Sequence, residues 1–130
     1  MSADIKLNIT PFLVVTDASG ASAFYAAAFD AALLEKYTNN GRTNARIRMG
    51  NADFWIGDEE SEFDNLSPTT IGGNPVRMIL TTSDPDTIFV NALKAGATQI
   101  CPVTVQEDWK IGKLKDPFGH IWEIGCPLQG

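Results

Sequence analysis

Along the chain the spacing of apolar residues changes in an order that occurs twice. PFLVV at 11–15 is a strand-like run, and beyond Asp17 the segment ASGASAFYAAAF places its apolar residues at helical spacing. The same order returns in VRMILTT at 76–82, then Asp84, then the helical pattern PDTIFVNALKA, which stops at Gly96. Asp17 and Asp84 stand where an N-cap oxygen takes a free N–H of the first turn, and Gly96 stands at the C′ position. Three strand-like runs follow each helix: LLEKYT, ARIRMG and ADFWIGD in the first half, TQICPVTV, WKIGKLKD and HIWEIG in the second. Asn39-Asn40-Gly41, Gly50-Asn51 and Asp116-Pro117-Phe118-Gly119 supply turns where hairpins need them.

Each half therefore reads β-α-β-β-β. The pattern predicts an α+β fold in one domain, 1–130, built of two tandem modules at about 7–58 and about 74–126. The acidic segment 58–75 (DEESEFDNLSPTTIGGNP) is read as a solvated linker between them.

Alternation assigns faces within the strands. In HIWEI, His120, Trp122 and Ile124 share one side and Ile121 and Glu123 the other; in ADFWI, Phe54 and Ile56 oppose Asp53 and Trp55. A strand packed under a helix turns its bulky apolar set inward, so Trp55 and Glu123 are expected on the open face. His120, the single imidazole, sits at the turn and on the other side, where a turn or packing role is expected.

Composition narrows the function classes. With 130 residues, 44% of them hydrophobic, the chain is long enough for a core without disulfide or metal staples. A formal charge of −6, with 10 basic residues and no basic run, argues against a nucleic-acid partner, because phosphate binding is driven by Lys and Arg. Cys101 and Cys126 form no CxxC motif, so two free thiols are expected. No stretch approaches the roughly 18 apolar residues of a membrane span, and no basic-then-apolar leader pattern is present, so a soluble, cytoplasmic protein with no membrane partner is expected.

The doubled βαβββ order, the opening VVTDASGASAFYAAAF and the ending DPFGHIWEI resemble the vicinal oxygen chelate superfamily of glyoxalase I, bleomycin resistance proteins and extradiol dioxygenases, most closely its PhnB-like branch. The resemblance implies two modules forming a curved mixed-sheet cup, and homodimerisation. It also implies four inward metal positions in the metalloenzymes, which fall here at Thr10, Trp55, Ile79 and Glu123. Only Glu123 is a competent ligand; Trp and Ile cannot coordinate, a Thr hydroxyl is a poor donor, and the neighbours Pro11, Phe54, Met78 and Leu80 are no better. No metal and no cofactor are therefore expected.

What remains is an apolar cup lined by Phe12, Val14, Trp55, Trp109, Ile79 and Ile121, within reach of Glu123, Asp53, Arg77 and one or more of Arg46, Arg48 and Lys113. From these, Phe12, Arg48, Trp55, Arg77, Ile79, Trp109 and Glu123 are the candidate ligand-binding residues. The expected function is metal-free binding of a small molecule, planar and aromatic or cationic, as in the resistance members. The alternative is a glyoxalase- or epimerase-type enzyme with Glu123 as general base or metal ligand. A third reading makes the chain a partner-binding relic of the fold.

Overall fold

Both halves of the repeat fold in the predicted order. The computed structural model describes residues 4–128, so residues 1–3 and 129–130 of the predicted domain lie outside the described residues. The first module comprises β1 (Phe12–Val15), α1 (Ala18–Phe29), β2 (Ala32–Asn39), β3 (Arg42–Met49) and β4 (Ala52–Asp58). A 3-10 turn (Ser61–Phe63) and a single helical turn, α2 (Pro68–Ile71), come next. The second module comprises β5 (Arg77–Thr81), α3 (Pro85–Ala95), β6 (Thr98–Gln106), β7 (Trp109–Lys115) and β8 (Ile121–Pro127). The sheets run β1-β4-β3-β2 and β5-β8-β7-β6, with β1 and β5 parallel to β4 and β8 and the remaining pairs antiparallel.

The caps form as predicted. Asp17 accepts the Gly20 N–H at 3.0 Å and Asp84 accepts the Thr87 N–H at 3.2 Å, while Gly96 closes α3 with φ 122°. Buried residues of α1 fall at Ala18, Ala21, Phe24, Tyr25, Ala28 and Phe29, the spacing of one helix face. Alanines on that face let the helix lie close over Leu13, Val15, Ala45, Ile47, Phe54 and Ile56 of the first sheet, all buried. In the second module Leu114, Trp122 and Ile124 are buried with Phe89 and Ala92 of α3. Burying each of these large apolar side chains contributes about 2 kcal/mol relative to leaving it in water.

The modules share one core. Helices α1 and α3 pack on each other, and Trp122 of β8 reaches into the aromatic cluster of the first module, with ring centroids 4.9 Å from Phe29 and 5.5 Å from Tyr25. Asp116, 3% exposed, anchors that junction. Its Oδ2 accepts from Tyr25 Oη and from Trp122 Nε1 at 3.0 Å, and its Oδ1 accepts the backbone N–H groups of Phe118 at 2.9 Å and His120 at 3.0 Å. His120, also buried, contributes a second tie. Its Nε2 lies 2.8 Å from the Val14 carbonyl and therefore donates, leaving Nδ1 to accept from Asn74 Nδ2 at 3.1 Å. The packing role expected of His120 is thus a link between modules.

Segment 58–75 is more structured than a solvated linker. Asp58 accepts the N–H groups of Ala18 at 2.7 Å and Thr43 at 2.8 Å, so it braces the start of α1. Glu59 accepts from the Ser67 N–H at 2.7 Å and from the Thr70 hydroxyl, and the Ser67 side chain, then Thr70 and the Ser67 N–H, hold its carboxyl below the usual carboxylate range. Glu60 and Glu62 both pair with Arg42. Alternation and composition carry no trace of these partners, because they depend on where α1, β3 and α2 come to lie. Gly119, at φ 90°, lets the Asp116 turn sit against α2; a Cβ there would stand 2.8 Å from the Pro68 Cβ.

Candidate ligand-binding faces

The strand faces turned away from the helices carry the candidate residues. In the first module Trp55 is held in register with Phe12 on β1 and with Arg46 on β3. Its ring stacks on Tyr37 of β2, with centroids 6.2 Å apart and planes 24° from parallel, and the Arg46 guanidinium lies 6.0 Å from the Trp55 centroid. Arg46 Nε is 3.2 Å from Glu35 Oε2 but is not aimed at it, so among the described residues this buried N–H lacks a hydrogen-bond acceptor. Arg48 grips Asp53 with two contacts, 2.8 Å from Nε and 3.3 Å from Nη2, and this pairing holds the Asp53 carboxyl below the usual carboxylate range. A cavity of about 650 Å³ opens between these residues and the extended stretch 8–11, with Trp55, Arg46, Arg48, Asp53 and Met78 in its wall.

In the second module the centre is Glu123. Its side chain is 14% exposed, and Oε1 lies 2.9 Å from Arg77 Nη1 and 3.6 Å from Lys113 Nζ. Strand register places Ile79 on one side of Glu123 and Lys113 on the other. One cavity, of about 520 Å³, is lined by Ile79, Gln106, Glu107, Trp109, Ile111 and Glu123. A neighbouring one, of about 250 Å³, is lined by Arg77, Cys101, Lys113 and Glu123 among others. Cys101 and Cys126 are free thiols of intermediate exposure.

All seven candidate binding residues lie on or beside these faces, yet the chain does not gather them around one point. Phe12, Arg48 and Trp55 belong to the first sheet, while Arg77, Ile79, Trp109 and Glu123 belong to the second. Phe12 and Ile79 stay open to solvent, at 48% and 61% exposure. Sequence reasoning missed Glu35 and Tyr37. Counting back through the hairpin from Asn40-Gly41 sets Glu35 opposite Arg46 and Tyr37 opposite Asn44, so turn geometry held the signal.

Metal chemistry does not fit this arrangement. The four family positions supply one carboxylate, and two cations already flank it, which opposes a further positive charge. Among the described residues no three His, Cys, Asp or Glu side chains converge on a common point. Also among the described residues, no helix is long and apolar enough to cross a membrane.

Comparison with known proteins agrees with the architecture. No protein-family model matches the chain. The uncharacterized protein Rv0887c of Mycobacterium tuberculosis H37Rv is 36% identical over 138 residues, covering 99% of this chain and 79% of that protein. The uncharacterized protein Mb0911c of Mycobacterium bovis is likewise 36% identical, with 99% and 89% covered. Among solved structures, a glyoxalase/bleomycin resistance protein/dioxygenase family enzyme from Burkholderia phytofirmans superposes with a TM-score of 0.74 at 20% identity, covering 90% of this chain and 95% of that one. A glyoxylase/bleomycin resistance protein/dioxygenase domain from Frankia gives a TM-score of 0.76 at 16% identity, covering 98% and 96%. The fosfomycin resistance protein FosX of Listeria monocytogenes gives 0.72 at 15%, covering 98% and 95%. The chain thus belongs to one family with the two mycobacterial proteins, and its fold is the vicinal oxygen chelate fold of the glyoxalase, bleomycin resistance and dioxygenase group.

Proposed function

We propose that this chain is a metal-free small-molecule-binding protein, of the PhnB-like branch and acting in the cytoplasm, that sequesters a planar, aromatic compound. The observation that carries the reading is the platform made by Trp55: a half-buried indole backed by Tyr37, flanked by Arg46 and open to a cavity of about 650 Å³. An aromatic floor with a few placed polar groups is the usual form of a small-molecule site, and a flat ring gains both area and stacking energy there. The enzymatic alternative has less support, because Arg77 and Lys113 flank the carboxylate that a general base needs free.

We further propose a homodimer in which the first-module face of one chain meets the second-module face of its partner. Support comes from the exposure of Phe12 and Ile79, and of Ile5, Leu7 and Ile9 in the extended stretch before β1, which are 89–100% exposed with the alternation of an unpaired strand. Such pairing sets Trp55 and Glu123 around one ligand.

Titration of tryptophan emission with a panel of planar aromatic compounds, repeated on Trp55→Ala, tests the binding reading. Saturable change in the native protein that is lost in the variant is expected. No response across the panel, or turnover together with stoichiometric nickel, zinc, iron or manganese in protein purified without chelator, would overturn it. Light scattering at micromolar concentration tests the dimer; a monomer of 14.1 kDa would refute it.

A further inference from the structure

The charges on the two faces are not balanced alike. On the first sheet each guanidinium has its own carboxylate, Arg46 beside Glu35 and Arg48 on Asp53. On the second sheet Arg77 and Lys113 share the single carboxylate of Glu123. Among the described residues Arg77 donates only through Nη1, and Lys113 Nζ, at 3.6 Å, stands beyond hydrogen-bond length. The Arg77 and Lys113 side chains are 57% and 32% exposed, and both line the same cavity of about 250 Å³. Glu107 lines the adjoining cavity beside Trp109 rather than this one. One net positive charge therefore faces an open pocket in a molecule whose formal charge is −6.

We infer that the second-module face is an anion subsite, and that the bound compound is an aromatic acid whose carboxylate or phosphoryl oxygens seat on Arg77 and Lys113. The inference rests on the binding reading above and specifies its ligand class. An acid placed there satisfies the guanidinium N–H groups left over from Glu123 and the unbonded ammonium, and charge-assisted bonds of this kind are the strong ones. Ile79 and Trp109 give the hydrocarbon next to the acid group its apolar contact, and in the proposed dimer the ring extends to the first-module face that carries Trp55. At Arg77 and Lys113 a cationic group meets the opposite field, because Glu123 is already paired there.

Calorimetric titration decides the matter with matched probes. Benzoate, 2-naphthoate and anthracene-2-carboxylate are each compared with the neutral amide and the trimethylammonium counterpart, and phenyl phosphate is set beside benzoate to separate phosphoryl from carboxylate recognition. Acids are expected to bind about tenfold or more tighter than their amides, with an advantage that shrinks as salt rises. Lys113→Met should bring acid and amide to about parity, whereas Glu123→Gln, which removes the competing carboxylate, should strengthen acid binding several-fold. A purely structural role for Glu123 predicts no such gain. Amides or ammonium compounds binding as well as acids would overturn the anion subsite and leave the binding reading standing; silence from every probe would count against both.

Discussion

Tyr25 Oη donates a 2.5 Å hydrogen bond to Asp116 Oδ2 across 91 positions of sequence, and this contact joins the helix of the first module to the last turn of the second. Both residues are buried, and Asp116 serves three further donors. Asp116→Ala strands all four, so a loss of about 3 kcal/mol or more is expected, read as a lower midpoint in urea. Asp116→Asn should cost nearly as much, because one orientation of the amide sets its NH2 group against two backbone N–H donors and the other against the Trp122 indole N–H. Native-like stability in either variant would show that the carboxylate is not the junction.

Tyr25 also sets an alkaline limit. Burial, then the neighbouring Asp116 charge and its hydrogen bond, push the phenol well above its ordinary value of 10.0. The folded state thus holds the proton more tightly than the unfolded chain. This contribution is fully present below about pH 10 and declines as pH rises beyond it toward the folded value. Urea midpoints between pH 8 and 11 should fall more steeply for the native protein than for Tyr25→Phe, which starts about 1 kcal/mol lower from the lost hydrogen bond.

His120→Ala removes the donor to the Val14 carbonyl and the acceptor for Asn74. A cost of about 1–3 kcal/mol is expected, since a partly buried carbonyl loses its partner. Ligand affinity should change little, as the imidazole lies on the helix side of the sheet. A variant that folds normally yet fails to bind would place His120 in the site.

Two glycines separate fold from site. A Cβ at Gly112 would stand 2.9 Å from both Phe89 Cε2 and Val103 Cγ2, so Gly112→Ala overpacks the second-module core and should cost about 1–3 kcal/mol. A Cβ at Gly57 would stand 2.6 Å from Phe12 Cζ and 2.3 Å from Asn44 Oδ1, the movable ends of two side chains on the open face. Gly57→Ala should therefore keep most of its stability while displacing Phe12, and weaken aromatic ligands in the same fluorescence titration.

The sequence carried much of the fold because its signals are local. A period near 3.6 marks the helices, alternation marks the strands, and Asp17, Asp84 and Gly96 mark helix ends through groups only a few residues away. The acidic segment 58–75 was the poorest reading. Its carboxylates serve Ala18, Thr43 and Arg42, which lie outside the segment, and Ser67 across a turn within it, and composition reports neither kind of partner.

For this protein the sequence by itself determined the order of elements and which side chains leave the core, Trp55 and Glu123 included, because strand parity is set by neighbouring residues. Only the tertiary structure decided what those side chains meet. Register across β5, β8 and β7 brings Arg77 and Lys113 onto Glu123, and register across β2, β3 and β4 sets Tyr37 behind Trp55. Those pairings join residues up to 46 positions apart, and they follow from how the strands close on one another around a shared core.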